Sequence, residues 1–382
     1  MHCAALFLKF ETEITMSALL DFLDYYTRTY EIPRAKCIAY KNGEKIFEYT
    51  GGTDADDGKN TYRMYSVTKV VMCAAALKLI EEGKMHLTDP LYMYYPEFKN
   101  INVRKRDESG RGFELCEAEN PILIKHLFTM TAGFDYNIHS VAIRKLVKET
   151  GGRFPTQSII AALSSQPLDF EPGTHWKYSL CHDVLGALCE RISGKPLDLY
   201  VKENVFDPLG MENSTFFCDS ETEEKLVPEW RFDPQSLQFF PSAGNEHVLG
   251  SEYVSGGASL VSTPEDMIVF ADMLASGGRG VLMPQTVELM KTNQLETGLL
   301  KDIALATSHG GYGYGLGVRT MVSPIAADSL SPVGEFGWGG ASGSYILSDT
   351  ENGISLYYAQ NLLGANLSHY HRLRNALYSD LA

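Results

Sequence analysis

Positive charge is scarce in this sequence. Its 382 residues include 33 Lys and Arg against 48 Asp and Glu, which gives a formal net charge of −15. Such a field repels phosphate backbones and anionic lipid headgroups, so the composition argues against partners such as nucleic acids or membrane surfaces. Long apolar runs are missing too, since none reaches the ~18 residues that span a bilayer. The sequence therefore predicts neither a nucleic-acid-binding protein nor a membrane protein.

Cysteine is sparse and follows no pattern. The seven cysteines form no C-x-x-C pair and stand at positions 3, 37, 73, 116, 181, 189 and 218. Secreted proteins held by disulfides usually carry an even, regularly spaced set. The mostly apolar first eight residues contain no Lys or Arg, which is not typical of a signal peptide, and Met16 is an alternative start to Met1. We therefore expect reduced thiols and a cytoplasmic location.

Several catalytic motifs are absent as well. The chain has no H-E-x-x-H zinc motif, no phosphate-binding P-loop and no G-x-S-x-G nucleophile elbow. The glycine run at 311–317 misses the dinucleotide-binding spacing, and the ten histidines do not cluster at metal-ligand spacing. We expect His126 and the pair His182-Asp183 to cap helices or pack in the core. No metal or organic cofactor is implied.

Sequence periodicity separates the ends of the chain from its middle. Helices are predicted over 17–30, 66–82 and 366–381, and strands over 35–40, 45–49, 315–321, 343–348 and 354–360. In the middle, short helices are predicted near 121–130, 141–149, 156–164, 181–193 and 197–205. We therefore predict an α/β (α+β) domain from residues 1–85 and 250–382, with a mostly helical domain, 86–249, inserted into it.

The segment Ser66-Val67-Thr68-Lys69 is a candidate nucleophile motif. Residues i and i+3 share a helix face, so the Lys69 amine can approach the Ser66 hydroxyl. Ser66 also stands where a buried helix begins, and the free backbone N–H groups there favour a developing oxyanion. Burial weakens the preference of a lysine for its charged form, which helps it to accept a proton. Alone the motif is weak, because a capping serine followed by a lysine also explains it.

Longer blocks around this motif carry a family resemblance. The first motif of the serine β-lactamase/penicillin-recognising superfamily resembles residues 62–69 (YRMYSVTK), together with the segments 79–84 and 87–90 that follow. Further matching blocks follow in the family's order at 124–133, 171–180, 205–211, 255–267 and 337–341. The resemblance is greatest to the class C β-lactamase-like group, within it to family VIII carboxylesterases. It implies a β-lactamase-like fold, with an antiparallel sheet flanked by helices and an inserted helical domain.

The resemblance also implies catalytic roles for three residues. Ser66 would be the acylated nucleophile and Lys69 its hydrogen-bonded activator. Tyr178 matches the second-motif tyrosine, which passes the proton from the nucleophile to the leaving group. A phenol with an ordinary pKa near ~10 can do this only if a neighbouring cation favours the phenolate, and Lys69 is the natural candidate.

The third motif and the end of the second depart from the penicillin-recognising pattern. Trp338-Gly339-Gly340 stands where that pattern has Lys-Thr-Gly, so the backbone N–H groups of Ser66 and Ala341 would form the oxyanion hole. The two glycines would let the strand approach the substrate closely. Leu180 replaces an asparagine, and Trp338 a lysine, that contact β-lactam substrates, and we expect both apolar side chains to contact the acyl chain of an uncharged substrate instead. Both changes remove polar anchors, and both occur in the esterase branch of the family.

The sequence therefore predicts a serine hydrolase that cleaves small-molecule carboxylic esters through an acyl-enzyme. Two enzymatic alternatives remain open at this point: a β-lactamase or D-specific peptidase or amidase, and a transesterase that passes the acyl group to an alcohol. A non-catalytic scaffold is a third alternative, and the intact Ser66, Lys69 and Tyr178 argue against it.

Overall fold

The computed structural model describes residues 16–54, 57–107, 109, 111–307, 309–364 and 369–381. The apolar N-terminal run lies outside them. The strands are β1 (Ala35–Lys41), β2 (Glu44–Gly51), β3 (Tyr62–Arg63), β4 (Asn102–Arg106), β5 (Phe113–Glu117), β6 (Trp230–Asp233), β7 (Gln238–Pro241), β8 (Val261–Ser262), β9 (Tyr312–Tyr314), β10 (Arg319–Met321), β11 (Phe336–Gly339), β12 (Tyr345–Asp349), β13 (Ile354–Gln360) and β14 (Leu362–Leu363).

The α-helices are α1 (Ser17–Thr29), α2 (Thr68–Glu81), α3 (Ile124–Phe128), α4 (Val141–Thr150), α5 (Ile159–Ser164), α6 (Cys181–Ser193), α7 (Leu197–Val201), α8 (Asp207–Leu209), α9 (Ser220–Lys225), α10 (Pro264–Ala275), α11 (Pro284–Lys291), α12 (Leu300–Thr307), α13 (Pro324–Ala327) and α14 (His369–Asp380). Short 3₁₀ turns stand at Tyr65–Val67, Leu91–Met93, Pro96–Phe98, Thr156–Ser158 and Thr297–Leu299, and a π-helical turn at Lys202–Phe206.

The central element is a seven-stranded sheet in the order β2-β1-β13-β12-β11-β10-β9, and every neighbouring pair is antiparallel. The β1–β2 hairpin turns at Asn42 and Gly43, whose positive φ angles of 53° and 83° fit an Asn-Gly turn. Strands from the two ends of the chain therefore pair in one sheet, as expected from the sequence. The division into two domains stays a prediction.

Helices cover both faces of this sheet. Side chains of β13 alternate between the faces: Leu356 and Tyr358 pack in one apolar cluster with α1 and α14, and Tyr357 and Ala359 pack in another with α10. The second cluster also takes in α2 and α6. Strand β13 is buried along its whole length, and both of its faces are mostly apolar, with Ser355 and Gln360 as its polar residues.

Helix α2 is buried on almost every side, as its apolar sequence predicts. Every residue from Thr68 to Leu77 is buried, and α6 packs against it. The helix ends before Gly83, which takes a positive φ of 67°. This rigid, buried helix carries Lys69 and begins directly after Ser66.

The strands differ in three details from those predicted from the sequence. Only 319–321 of the predicted strand 315–321 form a strand, β10, because the chain turns at Gly317 between β9 and β10; Gly317 has a φ of 85°, and an added Cβ there would meet the Cys73 sulfur. The middle region is also less helical than predicted, since it contains the hairpins β4–β5 and β6–β7. Strand β11, which carries Trp338, is missing from the predicted strands. Residues 366–368 of the predicted last helix lie outside the described residues.

Two observations bear on the predicted class of protein. Within the described parts of the chain, no helix combines the length and apolar character needed to cross a membrane. Six of the seven cysteines are described, and each carries a free thiol.

Candidate active site

Ser66 lies in a strained turn at the start of α2. It belongs to the 3₁₀ turn Tyr65–Val67, and Tyr65 has a φ of 45°, which non-glycine residues rarely adopt. Such backbone strain costs about 1–3 kcal/mol and persists only where the surroundings enforce it. Here Tyr65 is buried, and its hydroxyl donates a 2.7 Å hydrogen bond to Glu229. The turn leaves Ser66 only partly buried, at the edge of a cavity.

The three residues with predicted catalytic roles meet at the Ser66 hydroxyl. The Tyr178 hydroxyl lies 2.6 Å from Ser66 Oγ, and Lys69 Nζ lies 3.3 Å from the same atom. Lys69 comes from the first turn of α2, whereas Tyr178 comes from the loop that precedes α6. The nucleophile therefore has two proton-carrying groups within hydrogen-bond distance.

Lys69 is fully buried and is held from three sides. Its Nζ donates to the Gly257 carbonyl at 2.8 Å and to the Tyr136 hydroxyl at 3.4 Å, and it lies 4.5 Å from the centre of the Tyr178 ring. Burial lowers the pKa of Lys69, but the phenols of Tyr136 and Tyr178 and the charge of Asp183 raise it, and the net direction is up. The expectation that burial makes Lys69 a readily neutralised amine is therefore wrong. Its immediate surroundings favour the ammonium.

A buried network fixes the carbonyl that holds Lys69. Asp183 is 1% exposed, and its Oδ1 accepts hydrogen bonds from Tyr253 at 2.7 Å and Ser255 at 2.6 Å. Ser255 Oγ in turn accepts the Gly257 N–H at 3.2 Å. The other Asp183 oxygen has no hydrogen-bond partner in the described part of the chain. The network therefore places an incompletely paired negative charge near Lys69.

Aromatic rings surround the phenol of Tyr178. The Trp338 ring stacks on it with centroids 5.7 Å apart and planes at 15°, and Tyr136 packs against it at 4.9 Å. Tyr314 meets Trp338 edge to face at 5.3 Å. These contacts restrict the Tyr178 ring to one orientation and keep bulk water from its sides.

The site opens into a cavity of about 680 Å³. This volume is in the range of pockets that bind small molecules. Six of the residues singled out in the sequence line it: Ser66, Tyr178, Trp338, Gly339, Gly340 and Ala341. Lys69 lies behind this wall, beneath Ser66 and Tyr178.

Comparison with known proteins assigns the chain to a family. A family model described as Beta-lactamase matches residues 19–379. The chain belongs to the Beta-lactamase family. Protein Rv1367c of Mycobacterium tuberculosis is 31% identical over 307 residues, which cover 78% of this chain and 76% of that protein. Esterase EstB of Burkholderia gladioli is 27% identical over 379 residues, 91% of either chain.

A solved structure shows the same fold. EstCE1, described as a hydrolase with promiscuous acyltransferase activity, superposes with a TM-score of 0.76 at 23% identity, covering 95% of this chain and 99% of its own. The β-lactamase-like fold predicted from the sequence is therefore confirmed.

Leu180 does not line the cavity of this family member. It is 3% exposed and packs in the core at the start of α6, so the prediction that it contacts substrate is wrong.

The third-motif glycines Gly339 and Gly340, which were expected to allow approach to the substrate, also lie close to other parts of the protein. An added Cβ would come within 2.6 Å of the Tyr370 ring at Gly339, and within 2.6 Å of the Met64 carbonyl at Gly340. Both glycines allow β11 to approach α14 and the Ser66 turn, besides facing the cavity.

Two residues of the site were missed by sequence reasoning. Tyr136 follows a matched block in a loop, and nothing local marks its hydroxyl as a partner of Lys69. Asp183 was expected only to cap or pack, although a carboxylate in an otherwise apolar helix start is itself a signal. The neighbouring His182 is fully buried against Cys73, and His126 accepts the Leu123 N–H at 3.1 Å, so both histidines pack or cap as expected.

Proposed function

We propose that this member of the Beta-lactamase family is a serine hydrolase that cleaves small-molecule carboxylic esters through an acyl-enzyme on Ser66. One observation carries the proposal: Ser66 Oγ stands on the cavity wall, 2.6 Å from the Tyr178 hydroxyl and 3.3 Å from Lys69 Nζ. The similarity to the esterase EstB over 91% of the chain supports it. The free thiols of the described cysteines support the expected cytoplasmic location.

In the proposed acylation step, Tyr178 acts as the base in its phenolate form. The Lys69 ammonium stabilises that form, because it is buried 4.5 Å from the Tyr178 ring centre and its charge is poorly screened there. Tyr178 takes the proton of Ser66 as Oγ bonds to the ester carbonyl carbon. Lys69 keeps its proton throughout, so its role is electrostatic.

The carbonyl oxygen becomes negative in this step and needs hydrogen-bond donors. The Gly340 N–H is already used, since it donates to the Ser344 carbonyl at 2.7 Å. The next backbone N–H, that of Ala341, belongs to an exposed residue on the cavity wall. We assign the oxyanion hole to the N–H groups of Ala341 and Ser66, two residues of the cavity wall, and these groups would donate to the carbonyl oxygen as it becomes negative.

The second half of the reaction reverses these roles. Tyr178 returns the proton to the alkoxide as the ester C–O bond breaks, and the alcohol leaves. A water molecule then gives a proton to Tyr178 as its oxygen bonds to the acyl carbon. Tyr178 passes that proton to Ser66 Oγ as the bond between Oγ and the acyl carbon breaks, which releases the acid and restores the Ser66 hydroxyl.

Acyl transfer to an alcohol is the second candidate function. The cavity favours it, because about 680 Å³ walled by Trp176, Tyr178 and Trp338 can hold an organic alcohol in the place of water. Adding an alcohol to the hydrolysis assay and measuring the new ester against the free acid separates the two functions.

The proposal is tested with Ser66→Ala. This variant is expected to lose hydrolysis of p-nitrophenyl esters and labelling by a fluorophosphonate, while its circular dichroism stays unchanged. Ser251→Ala, at an exposed serine away from the cavity, is the matched control and keeps both properties. Covalent labelling of Ser66→Ala at another serine, found by peptide mass spectrometry, would contradict the assignment.

A further inference from the structure

The cavity extends from Ser66 to a second end with different chemistry. This arginine end is formed by Tyr312 on β9, Arg319 on β10, Tyr345 on β12, and His371 and Arg374 on α14. Arg319 is 7% exposed and Arg374 is 1% exposed, yet both contribute to the wall of the cavity that Ser66 lines. Two nearly buried guanidinium groups therefore face the same space as the nucleophile.

The positive charge at this end exceeds the negative charge. Arg319 forms a bidentate ion pair with the fully buried Glu335, with N–O distances of 2.9 and 2.6 Å. Arg374 has no carboxylate within ion-pair distance in the described part of the chain. A buried charge without a counter-charge is costly. One positive charge is thus left for a group that these residues do not supply.

At the arginine end, the guanidinium groups donate hydrogen bonds and the phenol oxygens accept them. The Tyr345 oxygen accepts from Arg319 and, at 2.8 Å, from Arg374, and the Tyr312 oxygen also accepts from Arg374. Each phenol therefore keeps its own O–H to donate. Arg319 Nε also has no partner among the described residues, but it is buried and does not reach the cavity surface. The acceptors at this end are occupied by guanidinium groups, and donors remain.

His371 also has its acceptor nitrogen occupied and a donor left. Its Nδ1 lies 3.0 Å from Arg374, which can only donate, so Nε2 carries the ring proton. Burial and the charge of Arg374 lower the pKa of His371 to about 3, so the ring is neutral and presents an N–H. A wall of donors with one unmatched positive charge fits a singly charged acceptor.

We propose that the arginine end binds a carboxylate, and that the substrate is an ester whose carboxylate is separated from the scissile carbonyl by an apolar spacer. A carboxylate is planar, singly charged and an acceptor only, which matches this wall. The spacer follows from the rings between the two ends: Tyr345 stacks on Tyr370 at 4.6 Å, and Tyr370 packs on Gly339 beside the oxyanion hole. The inference rests on the proposed ester hydrolysis at Ser66.

The first experiment compares matched ester pairs. Mono-p-nitrophenyl esters of glutaric, adipic and suberic acid are compared with p-nitrophenyl esters of equal chain length that end in a methyl group. The butyrate esters of 6-hydroxyhexanoate and of hexanol test a carboxylate on the alcohol side. One carboxylate-bearing ester is expected to exceed its neutral partner in kcat/KM by at least ~10-fold, the usual worth of a hydrogen bond to a charged group.

Variants show whether the arginine end causes this preference. In Arg374→Met the ratio of the carboxylate ester to its neutral partner is expected to fall to about one. The ratio is taken within each variant, so a general loss of activity cancels. Arg372→Met removes an exposed arginine from the same helix and is expected to keep the wild-type ratio. Tyr312→Phe, which removes one donor and no charge, is expected to give an intermediate ratio even if Arg374→Met does not fold.

A binding measurement separates this inference from the proposed function. Calorimetric titration of Ser66→Ala with adipate and suberate is expected to show binding that the corresponding diamides lack and that Arg374→Met removes. Hydrolysis of neutral esters with neither a carboxylate preference nor dicarboxylate binding would overturn the carboxylate site alone. Dicarboxylate binding by an enzyme that cleaves no ester would keep the site and overturn the proposed function. An equal loss of preference in Arg372→Met would also overturn the site.

Discussion

The two ends of the cavity both contain buried cations among tyrosines, but they balance charge differently. At the Ser66 end, Lys69 contacts the Gly257 carbonyl and the Tyr136 hydroxyl, and no carboxylate lies within ion-pair distance of it in the described part of the chain. At the arginine end, Glu335 directly neutralises Arg319, and Arg374 supplies a second positive charge.

This difference indicates which kind of negative charge each end can bind: one that moves during the reaction, or one that a ligand carries at all times. The ammonium of Lys69 can support a negative charge that moves between Tyr178 and Ser66 during the reaction, because it forms no direct ion pair among the described residues and Asp183 acts on it only from a longer distance. The surplus guanidinium charge at the other end is suited to a charge that the ligand carries at all times. Variants at the Ser66 end are therefore expected to change kcat. Variants at the arginine end are expected to change the preference for carboxylate-bearing over neutral esters.

The largest effects are expected at the Ser66 end, from removing the Tyr178 hydroxyl that carries the proton or the Lys69 ammonium that stabilises its phenolate. Lys69→Ala and Tyr178→Phe should each lower kcat by ~10²–10⁴, the range for general acid–base catalysis. Because the two residues act as one unit, the double variant should lose little more than the worse single variant. Steady-state kinetics on p-nitrophenyl butyrate measures this, with Tyr25→Phe, at an exposed phenol on α1, as the control. A double-variant loss equal to the product of the single losses would show independent roles.

The next effect concerns substrate class. Amides need more help than esters because nitrogen leaves poorly, and the polar anchors for a penicillin-like substrate are replaced by Leu180, which is in the core, and Trp338. Each lost hydrogen bond costs about 1–3 kcal/mol, so two should lower β-lactam turnover by roughly 10²-fold. We expect kcat/KM for p-nitrophenyl butyrate to exceed that for nitrocefin by at least this factor. Equal or higher efficiency on nitrocefin would favour the β-lactamase alternative.

Local signals in the sequence predicted the elements that depend on local chemistry. The Asn42-Gly43 turn follows from the backbone freedom of those two residues, and the buried helix α2 from an apolar run that ends at Gly83. The approach of Lys69 to Ser66 follows from helical spacing alone. Tyr178 needed the family resemblance, because 112 residues separate it from Ser66.

Features created by long-range packing could not be predicted in this way. Arg319 and Glu335 meet because β10 and its neighbours bring them together, and Arg374 joins them from a helix far along the chain. No local pattern marks these residues as a group. Lys69 shows the same limit for electrostatics: burial alone predicts a lower pKa, whereas Tyr136, Tyr178 and Asp183 reverse the direction.

A smaller effect is expected on stability at acidic pH. Burial and the charge of Lys69 lower the pKa of His182 to about 3, against 6.5 for a free histidine. Below pH ~6.5, His182 is protonated in the unfolded chain but not in the folded protein. Each unit by which the pH is lowered therefore reduces the free energy of unfolding by about 1.4 kcal/mol through this residue. The contribution is complete above pH ~6.5 and is lost progressively as the pH falls towards the folded value. The half-buried His371 at the arginine end should contribute less, because solvent screens it.

Urea unfolding at pH 7.5 and pH 5.0 measures this effect. His182→Gln should have a lower free energy of unfolding at pH 7.5 but lose less of it at pH 5.0 than the wild type does. The exposed His86 offers the control His86→Gln, which should keep the wild-type dependence. A pH dependence of His182→Gln identical to that of the wild type would show that this histidine is not held neutral.

The smallest effect is expected from Tyr136→Phe, which keeps the ring and removes the hydroxyl that lies 3.4 Å from Lys69 Nζ. The bond is long, so its loss should lower kcat by only about 3- to 10-fold, with KM little changed. Tyr136 raises the pKa of Lys69, so without its hydroxyl the ammonium should deprotonate at lower pH, and the alkaline limb of the kcat profile should move down. A purely structural role would lower kcat at every pH without moving that limb. Tyr92→Phe, outside the cavity wall, is the control for removal of a phenol hydroxyl. An unshifted alkaline limb in Tyr136→Phe would show that Tyr136 does not tune the charge of Lys69.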